Sequence, residues 1–268
     1  MKKTKVLAIV LLASLATASI ASAESLKVLK VGATPVPHAE ILRFIAPLLK
    51  AKGIDLQVVE FTDYVQPNLA LQSKDLDANY FQHLPYLTDF NAKNNTTIVP
   101  GTAVHFEPLG LYPGKTKTLA ALKSGDSIAV PNDTTNEARA LLLLEAAGII
   151  KVNHDKGLAA TARDITSNPK NIKIKELEAA QISRSLPDVN LAVINGNYAI
   201  EAGLNASKDA LKAEDKASLA AKTFANFIAT RKGDENRPEI KTLEEVITSD
   251  VVRKFINDTY KGAVVPVF

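Results

Sequence analysis

The chain has 268 residues, 46% hydrophobic and 23% charged, with 12 glycines, 13 prolines and no cysteine. This composition excludes a disordered chain and a collagen-like one, and the length suits one or two packed domains. The formal charge of +3 resides in the first 23 residues, where Lys2, Lys3 and Lys5 stand without an acid; the remainder balances 29 basic against 29 acidic side chains, so no excess charge is left to attract nucleic acid or an anionic membrane.

The first 23 residues read as a secretory signal peptide. Lys2, Lys3 and Lys5 form the basic end, residues 6–12 are apolar, and Ala21-Ser22-Ala23 is an A-x-A cleavage site before Glu24. An uncleaved anchor fits less well, because a spanning helix needs roughly 20 apolar residues and this run decays early into Ala, Ser and Thr. Met1 is the only methionine, so the exported chain would contain no sulfur. Chance and economy of sulfur both account for that.

After the signal, strand-like and helix-like segments alternate. Residues 26–32 alternate apolar and basic side chains as a half-buried strand does. Ile41, Leu42, Ile45, Leu48 and Leu49 then form one helical stripe within 37–50, with Pro47 expected to kink it and Gly53 to end it. Residues 56–61 read as a strand and 67–73 as part of a short helix, with short strands at 97–100 and 109–112.

A second series follows Pro113. Residues 119–123 read as a helical turn and 127–130 as a buried strand. The strongest helix covers 134–147, with Thr134 and Glu137 spaced as a capping box and Gly148 at its end. Strands at 172–177 and 191–194 follow, with helices at 179–185, 198–202, 243–247 and 250–260, and exposed loops at 207–216 and 231–238. Alternating β and α elements with short connections predict an α/β fold with mostly parallel sheets.

Enzyme motifs are absent. Gly110 to Thr116 is one residue short of a P-loop, and Pro113 lacks an N–H that a phosphate cradle needs. His38, His83, His105 and His154 lack the local spacing of metal ligands, and the absence of cysteine excludes thiolate sites. No catalytic residue, metal or cofactor is expected.

What remains suits small-molecule binding. Tyr64 and the stretch Tyr80, Phe81, His83 and Tyr86 concentrate aromatic rings among Asn, Gln and Pro, a mixture that makes a poor core strand and a good pocket wall. His105, Phe106 and Glu107 form a third group. Arg139 lies in the first turns of the strongest helix, where it could grip a carboxylate or pair with a structural acid. Asn195 and Asn197 follow a strand at the end where open α/β sheets bind ligands, although Asn-Gly-Asn is also ordinary turn chemistry. Together these groups suit a zwitterion with an apolar side chain.

At these same residues the sequence resembles the methionine-binding lipoprotein (MetQ/NlpA) family of ABC-importer substrate-binding proteins. The matching stretches include Phe61-Thr-Asp-Tyr64-Val-Gln-Pro-Asn68, Asp77-Ala-Asn-Tyr-Phe81-Gln-His83-Leu-Pro-Tyr86, Val130-Pro-Asn-Asp-Thr-Thr-Asn136-Glu-Ala-Arg139, Ala192-Val-Ile-Asn195 and Gly262-Ala-Val-Val. The resemblance implies a two-lobed periplasmic-binding-protein fold of type II, with two interlobe crossings and the ligand in the cleft. Lobe I would comprise 24–112 plus 226–268, and lobe II 113–225. Methionine's side chain would lie among Tyr64, Phe81, His83 and Tyr86, with Arg139 on the carboxylate and Asn195 and Asn226 on the amino-acid backbone groups. His105 and Glu107 are further candidates for the polar end. The implied partners are methionine and a cognate permease–ATPase complex; D-methionine, a methionine-containing dipeptide or another amino acid are alternative ligands. Members of the family are usually anchored through a lipidated cysteine, which this sequence lacks, so a soluble periplasmic protein is expected.

Overall fold

The computed structural model describes residues 26–216 and 219–268; the expected signal peptide lies outside the described residues. The chain runs through β1 (Lys27–Ala33), α1 (Glu40–Ala51), β2 (Ile54–Glu60), α2 (Gln66–Gln72), β3 (Ala78–His83), α3 (Leu84–Asn94) and β4 (Ile98–Phe106). It continues through β5 (Gly110–Pro113), β6 (Ser127–Pro131), α4 (Thr134–Ala146), β7 (Lys151–Val152), β8 (Ile165–Ser167) and β9 (Lys173–Leu177). Next come α5 (Ala179–Ile182), β10 (Leu191–Ile194), α6 (Gly196–Glu201), β11 (Lys212–Ala213) and α7 (Leu219–Thr223). The chain ends with β12 (Asn226–Arg231), α8 (Pro238–Ile247), α9 (Asp250–Tyr260) and β13 (Val265–Pro266).

Two large sheets carry most of the strands, in the orders β13-β4-β12-β3-β1-β2 and β11-β5-β10-β6-β9, while β7 and β8 pair in a separate two-stranded sheet. Both large sheets follow one plan. In each, three parallel strands stand with the first between the second and third, and an antiparallel strand from an interlobe crossing lies beside the third. Parallel neighbours need crossover connections, and the helices supply them while covering the sheets. Over the first sheet, Leu29 and Val31 pack with Ile41, Leu42, Ile45 and Leu49 of α1 and with Leu243 and Ile256. In the second lobe, Ile128, Val130, Leu191 and Val193 pack against Leu141 and Leu144 of α4. The two-lobed α/β architecture is thus the one the sequence pattern and resemblance implied, but the sheets are mixed and not mostly parallel: four strand pairs are parallel, and the five made by β5, β11, β12 and β13 are antiparallel.

Several local expectations change. Residues 78–83, which include most of the polar-aromatic stretch expected to make a poor core strand, form a wholly buried central strand. The polar side chains are accommodated by one another: Asn68 and Asn79 join Gln82 through amide hydrogen bonds of 2.8–3.0 Å, and Asn79 also reaches Pro67 O at 3.1 Å. The cap of α4 is Asp133, which accepts Asn136 N–H at 3.1 Å, not Thr134; Glu137 instead accepts Ala162 N–H at 2.8 Å. Pro47 does not interrupt α1, because it lies on the exposed face, where the carbonyl freed by its missing N–H can turn to water.

The crossings also shift. Gly110–Tyr112, expected in lobe I, pair with Ala192–Ile194 in the second sheet, so the chain changes sheet at 107–109. Pro113 suggested a boundary, but it sits at a strand end opposite Leu191, where its missing N–H is harmless. The return crossing spans the segment from Glu214 to Ala225, after which β12 enters the first sheet between β3 and β4.

Gly114, the second glycine of the near P-loop, has a packing duty. A Cβ there would lie 2.4 Å from Val189 O and 2.6 Å from Leu186 O, both backbone atoms. Gly114→Ala is expected to lower stability by about 1–3 kcal/mol through this overlap. Urea unfolding measures it, and an unchanged midpoint would contradict the close approach.

Candidate functional site

The cleft between the sheets holds a cavity lined by both lobes. Tyr64, Phe81, His83 and Tyr86 form its aromatic side, and Glu107, Arg139, Asn195 and Asn226 its polar side. The structure therefore brings eight of the nine expected residues to one cavity. His105 is the exception: it sits behind Glu107 and donates to it from Nε2 at 2.6 Å. Gln82, Asn136, Gly196 and Asn197 complete the lining. Asn197 was named in the sequence beside Asn195, with turn chemistry as its alternative; Asn136 lies inside a stretch the sequence singled out but was missed as a lining residue.

The aromatic residues form a box. Tyr64 stands 5.9 Å from Phe81 and 5.8 Å from Tyr86 between ring centroids, and Tyr86 donates its hydroxyl to Tyr64 O at 2.8 Å. Edge and tilted contacts of this kind suit quadrupolar rings. Direct hydrogen bonds hold the lobes together around the box. Tyr64 donates to Asn197 Oδ1 at 2.5 Å, Tyr198 to Thr62 O at 3.0 Å, and His83 Nε2 to Asn136 Oδ1 at 3.1 Å.

The amides of the far lobe are incompletely satisfied. Asn136 Oδ1 accepts from both His83 and Asn195 Nδ2, the latter at 3.0 Å, and this leaves Asn195 Oδ1 without a partner. Asn197 spends its Oδ1 on Tyr64, leaving Nδ2 without a partner. Buried polar atoms are rarely left so, because each forgoes the hydrogen bonds that water would supply. A free acceptor and a free donor in one cavity wall are therefore a docking pattern for a ligand that carries both a cation and an anion.

Arg139 belongs to a face of α4 that is buried almost throughout and is itself only 5% exposed, so its charge requires a partner. Nε and Nη2 meet Glu214 Oε1 and Oε2 at 2.7 and 2.5 Å, and Nη2 also donates to Glu107 O at 3.1 Å. Its guanidinium lies 4.1 Å from the Phe224 ring centroid. None of these hydrogen bonds uses Nη1. The two readings of Arg139 thus coexist: it is paired to an acid, and it lines the cavity. Glu214 and Phe224 were missed in the sequence, since Glu214 lies in a polar stretch read as an exposed loop, 75 residues from its partner.

Behind the polar side, His38, His105 and Glu107 are a buried group with donor atoms within 4.8 Å of one another. Each imidazole nitrogen already has a partner: Thr34 and Asn226 for His38, Tyr80 and Glu107 for His105. A hydrogen-bonded support for Glu107 accounts for the whole arrangement without a metal. Burial holds these histidines neutral, lowering the pKa of His38 to about 4 and of His105 to about 3. Burial, aided by Arg139, lowers that of His83 to about 3.

The model of the NlpA lipoprotein family matches residues 29–268. The chain belongs to that family. It is 42% identical over 246 residues to the methionine-binding lipoprotein MetQ of Bacillus subtilis, covering 90% of this chain and 88% of that one. Against the D-methionine-binding lipoprotein MetQ of Escherichia coli K12 the identity is 39% over 240 residues, covering 88% and 87%. Among solved structures, a nutrient-binding protein from Burkholderia cenocepacia bound to methionine is 43% identical with a TM-score of 0.85, covering 90% of this chain and all of that one. This NlpA-family chain shares their two-lobed fold over essentially the whole described length.

The buried neutral histidines give the fold a pH dependence of definite sign. Unfolded histidines protonate near 6.5 while His38, His83 and His105 do not, so unfolding takes up protons as pH falls from 6.5 toward 4. Stability is complete above 6.5 and declines below it by about 1 kcal/mol per pH unit for each histidine, while Glu107 and Asp133, whose pKa values burial raises, act oppositely at the acid end. Denaturant unfolding at pH 7.5, 6 and 5 should show the loss, and equal stability at all three would contradict it.

Proposed function

We propose that this protein is the substrate-binding component of an ABC importer, capturing L-methionine in the interlobe cleft and presenting it to a permease–ATPase complex. The observation that carries the reading is the pair of orphaned amide atoms beside Arg139, facing a box of aromatic rings in the same cavity. Membership of a family with named methionine binders, one solved with methionine, supports it.

The roles follow from the chemistry of each group. Arg139 Nη1 and Asn197 Nδ2 donate to the ligand carboxylate, while Asn195 Oδ1 and the Glu107 carboxylate accept from its ammonium. Asn226 lines the same end, its Oδ1 fixed by His38 Nε2 at 3.1 Å. Tyr64, Phe81 and Tyr86 surround the thioether, which gains from sulfur–aromatic contact, and His83 closes the box while holding Asn136. Binding changes no covalent bond, so the cycle is capture, closure and release, not catalysis. Lobe I comprises the residues before 107 and after 225, and lobe II those between.

The protein acts in the periplasm after cleavage following Ala23. It diffuses freely there, because the sequence offers no cysteine for the lipid its relatives' names imply. Fatty-acid labelling of the exported protein separates these alternatives: no incorporated lipid is expected.

Calorimetry on refolded protein tests the ligand assignment. L-methionine should bind, with D-methionine and methionine dipeptides as competitors that fix the preference. Arg139→Ala should weaken binding by about 2–4 kcal/mol, since it strands a desolvated carboxylate. Absence of binding by any methionine-class ligand would overturn the reading, and tight binding by the variant would remove Arg139 from it.

A further inference from the structure

Both interlobe crossings converge on one ion pair. Glu214 opens the return crossing, and its backbone N–H donates to Leu109 O at 3.0 Å. Its carboxylate accepts Leu109 N–H at 2.9 Å, so the side chain grips the outgoing crossing as well. The same carboxylate takes two bonds from Arg139, whose Nη2 also holds Glu107 O in that outgoing crossing. Phe224, near the far end of the return crossing, stacks on the guanidinium, and Phe106, just before the outgoing crossing, lies 5.9 Å from it. Arg139 therefore touches both connections between the lobes, while its helix belongs to lobe II and its remaining edge lines the cavity.

We propose that Glu214 is the positioning residue for Arg139, and that the pair is a latch across both crossings which couples capture of an anionic ligand group to closure of the lobes. Geometry carries this. A guanidinium fixed through Nε and Nη2 has one orientation left for Nη1, so a carboxylate must approach from the cavity at a set angle. Because the fixing groups are the crossings themselves, a lobe movement that displaces Leu109 or Glu107 also displaces the guanidinium. Ligand engagement of Nη1 and the closed arrangement of the crossings then stabilise one another, as linkage requires. Glu214, 11% exposed on its side chain, pairs with a nearly buried cation, so removing it leaves that charge uncompensated. The coupling to capture rests on the proposed function; the joining of the crossings does not.

The test exploits the absence of cysteine from this chain. Lys50→Cys on α1 and Lys156→Cys beyond β7 place one spin label on each lobe at exposed positions. Interlobe distances are then measured by pulsed electron resonance, with and without L-methionine. Glu214→Ala is expected to broaden the ligand-free distribution and to weaken L-methionine at least tenfold. Glu214→Gln, which keeps an acceptor but not the charge, should fall between it and the wild type, and stands in if the alanine variant does not fold. An unchanged distribution with affinity within twofold of wild type would overturn the proposal. So would an affinity loss that follows a lowered melting temperature while the distribution stays narrow. If the wild type binds no methionine, the proposed function fails, and the ligand-free distribution alone decides whether the latch exists.

Discussion

A guanidinium buried where two sheets join is the constraint on which the rest of this structure turns. Arg139 cannot be left unpaired in an interior that would otherwise be apolar, so α4, both crossings and Phe224 are arranged around it. That arrangement fixes where the lobes meet, and the meeting place fixes the cavity. On one side the cavity receives the edge of the guanidinium and the unsatisfied amides of Asn195 and Asn197; on the other it receives the aromatic strand β3 and Tyr64.

The polar interior is organised in two grades. One grade is closed on itself: Asn68, Asn79 and Gln82 satisfy one another, and behind the cavity Thr34, His38, His105 and Tyr80 form a chain that ends on Glu107 in the cavity wall. The other is open: Asn136 accepts two hydrogen bonds from opposite lobes, and its neighbours are left with an acceptor and a donor to spare. Closed networks specify the fold, whereas open ones are where a ligand completes the hydrogen bonding. The division explains why His105, although in a suggestive stretch, supports the site from behind without lining it.

Sequence patterns made the α/β class, most helices and most of the cavity legible, because hydrophobic period and short polar-aromatic stretches are local signals. Those signals failed where a distant partner decides the outcome. Strand β3 looked too polar for a core until Asn68, eleven residues before Asn79, supplied the missing hydrogen bonds. Glu214 looked like a surface acid because nothing near it in sequence reveals Arg139. The crossing at 107–109 was obscured by Pro113, whose boundary-like chemistry serves a strand end instead. The zero net charge after residue 23 and the absence of cysteine gained meaning only with the site: the first leaves the local charges of the cleft to set what binds, and the second leaves Met1 as the single sulfur of a protein proposed to collect it.

The central claim is that the cleft holds one zwitterionic amino acid with a thioether side chain. Mass spectrometry of the small molecules released when the natively isolated protein is denatured tests it most directly. The account predicts close to one methionine per chain in the released fraction. Release of a ligand lacking either a carboxylate or an amino group would contradict it.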